Sequence, residues 1–325
     1  KGQFTQALDI FNELLTLRKK QYGNDNFNLG PIYLRIGATY RNLGQLDLAL
    51  KNYTLAEKNF LLSENYPFEQ KVRVYNNIGI VYSRKLDYNK ALQYFEHALL
   101  ISQNEIKDSP ANIARINYNV AEIYYLTNNY ERAIELVYNN IKPAYDSDKI
   151  LFYELLAYIY QIRGDLSKSK KNYRNAIDLT VAINEKNDIN VANIYLNYSN
   201  FLISSNQFED AQEMLKKSYQ IIQLTKPINE LVLSEYYKIQ GLLANNKPVA
   251  TQNLEVFKKQ KKYNLNDAIE WYKKGLSALR FPENYALESV NEPGKWLSLM
   301  DCITFLKLIS DNYKELANLE QTKEN

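Results

Sequence analysis

Apolar and small residues recur along this chain at i, i+3, i+4 and i+7, the spacing that gathers side chains on one face of a helix. Tyr33, Ile36, Gly37 and Tyr40 form one such stripe, and Tyr75, Ile78, Gly79 and Tyr82 repeat it. The stripe returns more loosely at Asn117, Val120, Ala121, Tyr124 and at Tyr153, Leu156, Ala157, Tyr160. It continues at Tyr195, Tyr198, Ser199, Leu202 and fades at Tyr237, Gln240, Gly241, Ala244. The small members Gly37, Gly79, Ala121, Ala157, Ser199 and Gly241 lie 42, 42, 36, 42 and 42 residues apart. Glycine within a helix costs about 1 kcal/mol relative to alanine. Its return at one phase therefore implies a close approach by a partner helix.

A second stripe alternates with the first. It reads Phe4, Ala7, Phe11, then Leu46, Ala49, Tyr53, Ala56, then Tyr88, Ala91, Phe95, Ala98, then Tyr130, Ala133, Val137. Later copies are Leu166, Ser169, Tyr173, Ala176 and Phe208, Ala211, Leu215, Ser218. Short turns such as Asn42-Leu43-Gly44-Gln45, Arg163-Gly164-Asp165 and Ser205-Asn206-Gln207 join the two kinds of helix, with residue types suited to helix ends. Pro67, Pro110, Pro143 and Pro227 fall between pairs, where a proline can begin a helix without loss of an internal hydrogen bond. The pattern predicts an all-α chain of helix pairs: 30–43 with 45–62, 69–85 with 87–103, 110–127 with 129–140, 145–163 with 166–183, and 188–204 with 207–222. A sixth pair joins 228–245 to a later helix at 265–280. Residues 2–20 read as a second helix without its first, whose apolar side is expected to be exposed or covered by something else.

The rhythm breaks after Gly241. Ala268, Tyr272 and Gly275 bring the next second-helix signature late, leaving an irregular insertion near 247–264. For this insertion an extra helix starting near Pro248 is favoured over a loop. Its run Lys258, Lys259, Lys261, Lys262 is read as a solvated face, with a docking patch for an acidic partner as the alternative. The array is assigned to 1–280. Residues 281–325 supply a connection, a capping helix from about 296 to 317 with Leu297, Met300, Ile303, Leu306 and Ile309 on one side, and a polar tail. The opening Lys1-Gly2-Gln3-Phe4, without an initiator methionine, reads as the start of an internal fragment.

Composition narrows the function more than the fold. Net charge is +3, from 40 basic and 37 acidic residues, which gives no strong case for nucleic acid. No run reaches the ~18 apolar residues of a membrane-spanning helix, and a cytoplasmic location is expected. The single cysteine, Cys302, excludes an intrachain disulfide or a cysteine-based zinc cage, and the single histidine, His97, lies about 200 residues away. His97 reads as a surface or packing residue and Cys302 as a buried structural thiol. Nucleotide, zinc-protease and calcium-loop motifs are absent, so no catalytic residue, cofactor or metal is expected.

First helices of a stacked array line its concave side. Positions beside their packing stripe form the candidate partner-binding set: Arg41, Arg73, Asn76, Arg84, Arg115, Tyr118, Glu122, Tyr125, Glu154, Tyr158, Asn200 and Lys238. Leu34, Ala38, Ile80, Gln161, Leu196 and Asn245 are expected beside them. Tyrosines anchor ligands with little entropy loss, and arginines fork onto carboxylates. A protein or peptide ligand, or a neighbouring domain, is the expected partner.

Tyr75–Ala98, with Asn77-Ile78-Gly79-Ile80-Val81-Tyr82 and Tyr88-Asn89-Lys90-Ala91-Leu92-Gln93-Tyr94-Phe95, closely resembles tetratricopeptide (TPR) repeats. The 42-residue spacing is similar to the long-repeat branch found in kinesin light chains and many bacterial regulators. The resemblance covers about residues 2–280 and implies a right-handed superhelix that serves as a protein-interaction scaffold. Ala268–Leu276, Asn291-Glu292-Pro293 and the closing helix also look like the run-in to a CHAT domain, a caspase-like protease that would lie downstream. His97 and Cys302 do not match its motifs. Two other outputs stay open: a peptide or small-signal receptor module of a sensor kinase or transcription regulator, and a purely structural spacer.

Overall fold

The computed structural model describes residues 2–62, 68–106, 110–185, 188–251, 254–279 and 295–321. Every regular element among them is helical. The chain divides into two compact units, Lys1–Ile159 and Tyr160–Asn325.

The first unit holds α1 (Gly2–Tyr22), α2 (Gly30–Asn42), α3 (Leu46–Phe60), α4 (Phe68–Arg84), α5 (Tyr88–Ile101), α6 (Pro110–Leu126), α7 (Tyr130–Asn140) and most of α8 (Asp146–Ile162). Helix α2 packs on α3, α4 on α5 and α6 on α7, and each pair stacks on the next. Leu8 of α1 is buried with Ile32, Ile36 and Leu43, while Ile10 and Leu17 are exposed.

The recurrent glycines meet aromatic rings. A methyl group on Gly37 would come within 2.7 Å of the Tyr53 ring, and one on Gly79 within 2.6 Å of the Phe95 ring. The close approach is therefore helix backbone against a ring on the paired helix. Gly30 repeats the arrangement against Phe60, at 2.5 Å. Where the small residue is Ala121, the second-helix position holds Val137, and both are fully buried. In that pair a smaller side chain stands where the others carry a ring.

Turns within pairs share one geometry. Gly44, Leu86, Asn128, Gly164 and Asn206 all have positive φ, between 58° and 79°. The residue after each donates its amide to the helix five residues back, as in Gln45 N to Tyr40 O (2.9 Å) and Asp87 N to Tyr82 O (3.0 Å). This six-to-one bond closes the helix end, and glycine or asparagine tolerates the left-handed backbone it needs. Leu86 carries it without that tolerance, and its side chain lies in solvent.

The second unit contains the end of α8, then α9 (Leu166–Ile183), α10 (Ile189–Ser204), α11 (Phe208–Leu224), α12 (Glu230–Asn246), α13 (Leu254–Ala278) and α14 (Lys295–Gln321). Helix α10 packs on α11, α12 on α13 and α13 on α14. The glycine-and-ring device recurs: Gly241 faces Tyr272 at 2.1 Å and Gly275 faces Phe305 at 2.3 Å from a notional Cβ. Helix α13 thus presents a ring to α12 and a glycine to α14.

Several expectations are corrected here. The favoured extra helix and the later second helix are one continuous helix, α13, because helix-forming residues join the lysine run to the buried Leu265, Ala268, Ile269 and Tyr272. Lys261 is not free for an acidic partner, since its ammonium bonds the Asn245 carbonyl (3.2 Å) and Glu315 (3.3 Å). Pro110 does open α6, but Pro143 and Pro227 sit three residues ahead of α8 and α12, and Asn229 caps α12 instead. In α14 the buried stripe runs through Phe305, Asn312 and Leu316, while Leu306 is exposed. Pro67, the connection 281–294 and the tail 322–325 lie outside the described residues, as do the side chains of Leu297, Met300, Cys302 and Ile303.

Candidate functional site

The face formed by α2, α4, α6 and α8 in the first unit carries most of the candidate residues. Asn77 is one helical turn on from Arg73, and Arg84 falls two further turns along, so α4 presents them on one side. Arg41 donates through Nη1 to Asn77 Oδ1 at 2.6 Å, and Arg84 donates through Nη1 to the Arg41 carbonyl at 2.9 Å. Asn119 Nδ2 bonds Asn76 Oδ1 at 2.8 Å. These bonds span 36 or 43 residues, one repeat either way, and lock neighbouring first helices in register.

Behind the arginines stands Tyr53. Its ring is wholly buried against Gly37, and neither its hydroxyl nor Arg41 Nε finds a hydrogen-bond partner among the described residues. Burial pushes the Tyr53 phenol up to about 12, although Arg41 and Arg84 nearby pull it down. Arg84 is pushed below its ordinary value, first by burial and then by repulsion from Arg41, with Glu122 opposing. Two guanidinium groups thus sit together without a carboxylate bonded to either.

Removal of the orphan hydroxyl should do little harm. Tyr53→Phe is expected to leave stability at neutral pH unchanged or raise it by up to about 1 kcal/mol, because it discards an unsatisfied buried polar group. The wild type should lose stability as pH rises from 10 towards 12, where the unfolded phenol ionises and the folded one does not. Urea midpoints for both proteins across that range check the expectation; a phenylalanine variant with the wild-type alkaline loss would refute it for Tyr53.

Farther along the face, Tyr118 packs edge-on against Phe152, with ring centres 5.5 Å apart. Burial raises the Tyr118 phenol above its ordinary value, reinforced by Glu122, Glu154 and Tyr158, which places all four side chains within electrostatic reach. Burial also raises the Glu122 carboxyl, opposed by Arg84. Tyr125 is half-buried beside Tyr130.

Arg115 departs from its expected role. Its Nε donates to both oxygens of buried Asp148, at 3.0 and 3.2 Å, and its guanidinium lies 5.7 Å from the Tyr145 ring centre. It secures α6 to α8. In the second unit Asn200 is exposed, and Lys238 is paired with Glu235 at 2.5 Å. Leu196 is buried in α10 rather than facing a groove, and Gln161 donates to Ser204. Asn77, Asn119, Asp148 and Tyr53 are the contributors that stripe reading misses. The first two are detectable as amides one repeat from a candidate. His97 is exposed, 6.0 Å from the Tyr75 ring, and no cluster of three or more His, Cys, Asp or Glu among the described residues is placed to hold a metal.

Family comparison agrees with the helix-pair geometry. One tetratricopeptide repeat model matches residues 70–137 and 150–223, and a second matches 30–58. The chain belongs to the tetratricopeptide repeat family. Among curated proteins no sequence matches it. Among solved structures, the TPR chain is similar to a Rap protein complexed with competence and sporulation factor, with a TM-score of 0.62 and 13% identity over 96% of this chain and 81% of that one. It is also similar to the apo quorum sensor NprR from B. thuringiensis, with a TM-score of 0.60 and 15% identity over 95% and 83%. The apo form of RapI follows at 0.52 and 13% identity, over 89% and 99%. At these identities the likeness speaks for the TPR fold. No helix among the described residues is long and apolar enough to cross a membrane.

Proposed function

We propose that this chain is a non-catalytic receptor whose first-helix face in the unit Lys1–Ile159 binds an extended peptide. The observation that carries the reading is the concentration on that face of half-buried tyrosines together with arginines and carboxylates. Tyr118, Tyr125 and Tyr158 present rigid rings beside Glu122 and the Arg41–Arg84 pair. Such rings bury large areas with few rotors to freeze, which suits them as anchors. The solved likenesses support the reading: one is a quorum sensor, and another holds a competence and sporulation factor. No match supports the likeness of Ala268–Leu276 to the run-in of a CHAT protease, and the proposal does not depend on it.

Selection from a random peptide library on the whole chain tests the proposal. Enriched peptides should bind with micromolar affinity and raise the melting temperature, as any ligand confined to the folded state must. Replacing Tyr118 and Tyr158 together by alanine should weaken them at least about tenfold, the scale of an interface anchor. Failure to enrich any sequence would overturn the receptor reading and leave the array as a spacer. Unchanged affinity in the double variant would remove the site from this face.

A further inference from the structure

The pairing of α12 with α13 departs from the rest of the array at its turn. Earlier pairs turn over three residues, 43–45, 85–87, 127–129, 163–165 and 205–207, whereas seven, 247–253, separate α12 from α13. The described part of this connection, 247–251, has non-helical backbone and is tied to α13 at its start. Buried Asn264 donates through Nδ2 to the Lys247 carbonyl at 3.1 Å, and Lys261 holds the adjoining Asn245 carbonyl at 3.2 Å. A cleft of about 470 Å³ lies between the connection and helices α11, α12 and α13. That volume is ordinary for sites that take small molecules, and long connections on a rigid frame are where such sites gather.

The cleft is rich in amides, and its charges balance. Gln212 of α11 and Asp267 of α13 line it, and neither makes a hydrogen bond or ion pair with a described residue. Gln240 of α12 spends its Nε2 on the Tyr236 hydroxyl (2.8 Å), and Gln260 of α13 spends its own on Asn264 Oδ1 (3.1 Å). No described residue takes the carbonyl oxygen of either. One carboxylate, Asp267, and one ammonium, Lys247, are the charges of the lining. Trp271 is also in the wall, but its ring is engaged. Tyr237 stacks on it, with centres 5.8 Å apart and planes 24° from parallel, and the Lys274 ammonium lies 4.1 Å from its centre.

Donors and acceptors decide what such a lining recognises. A primary amide both donates and accepts, while an ionised carboxylate only accepts. Hydroxyl groups also donate and accept, so adjacent hydroxyls satisfy both kinds of side chain at once. One charge of each sign offers no excess to a charged ligand. A flat base needs an open aromatic face, and Trp271 already has Tyr237 and Lys274 against its ring. We infer that the cleft binds a neutral saccharide of one or two rings, its adjacent hydroxyls shared among Gln212, Gln240, Gln260 and Asp267. Asn264 is a positioning residue, holding the connection with one end of its amide and Gln260 with the other. The site lies in the second unit, on residues apart from the peptide face, and goes beyond the receptor reading without resting on it.

Saturation-transfer NMR on the whole chain tests this. The probes are glucose, galactose, mannose, N-acetylglucosamine, maltose, cellobiose, lactose and trehalose, with adenosine and diglycine as comparators. At least one sugar should receive saturation, with a millimolar or tighter dissociation constant by calorimetry that salt leaves unchanged, since the ligand carries no charge. Asp267→Ala should weaken that sugar about tenfold, as loss of a hydrogen bond to a charged acceptor does, and Gln212→Ala by a smaller factor. Both side chains are exposed, so urea midpoints of the two variants should match the wild type and separate lost binding from lost folding. Saturation of none of the sugars would overturn the inference. A sugar that both variants bind at full strength would remove the site from this cleft. Tighter binding of adenosine or diglycine than of every sugar would overturn the saccharide class and give the cleft to a base or a peptide.

Discussion

Gly79→Val should destabilise the first unit by about 3 kcal/mol, near the upper end for an overpacked core. A single Cβ at this position already lies 2.6 Å from Phe95 Cε1 and 2.8 Å from its Cδ1. Phe95 is wholly buried. Valine adds two further methyl groups and stiffens χ1. Gly79→Ala is a milder test, because alanine returns about 1 kcal/mol of helix propensity against the clash. It should still lose stability, and that sign is informative: at an ordinary exposed helix position the same change stabilises.

The array itself supplies the rescue. Forty-two residues on, Ala121 and Val137 occupy the positions of Gly79 and Phe95, and both are fully buried. Gly79→Ala/Phe95→Val copies that solution into the earlier pair. Phe95→Val alone opens a cavity and should cost about 2 kcal/mol, but the double variant should lose at least about 1 kcal/mol less than the two single losses combined. Urea denaturation of the four proteins gives the coupling. Strictly additive midpoints would mean that ring and glycine do not constrain one another, and the reason for the repeat's small residue would have to be sought elsewhere.

The helix pairs were legible in the chain because both stripes use spacing that only a helix converts into a face. The identity of the close contact was less legible. Gly37 and Gly79 announce that something approaches, but Tyr53 and Phe95 sit in a separate stripe with nothing local to assign them to those glycines. The lysine run 258–262 hid the continuity of α13, since the apolar stripe resumes only at Leu265 although the backbone is helical from Leu254. Side-chain partnerships on the candidate face depend on contacts made one repeat away. Arg115, near the start of α6, meets Asp148, whereas Arg84, at the end of α4, meets a carbonyl. The partners come from opposite neighbours: α8, which follows α6, brings a buried carboxylate to Arg115, while α2, which precedes α4, brings its C-terminal end to Arg84.

Phe305→Ala should have the largest effect in the second unit, about 3–5 kcal/mol, as for other fully buried phenylalanines. Phe305 is 2% exposed, lies on Gly275 of α13, and is 6.5 Å from the Tyr272 ring. Tyr272 in turn covers Gly241 of α12, so one ring stands between the closing helix and the last recognisable repeat. In a stacked array each layer is stabilised chiefly by its neighbours, and damage at an end spreads inward by layers rather than through the whole molecule. The variant should therefore loosen α14 first and then the side of α13 that carries Leu265, Ile269 and Tyr272. The contact of Leu316 with Leu265 and Ile269 slows that release without replacing the lost ring. Hydrogen exchange followed by peptide mass should show faster exchange in α14 and α13, with α2 to α7 unchanged. Uniform acceleration across both units would show that the array melts as one cooperative body, and that its last helix is an integral layer of a common core.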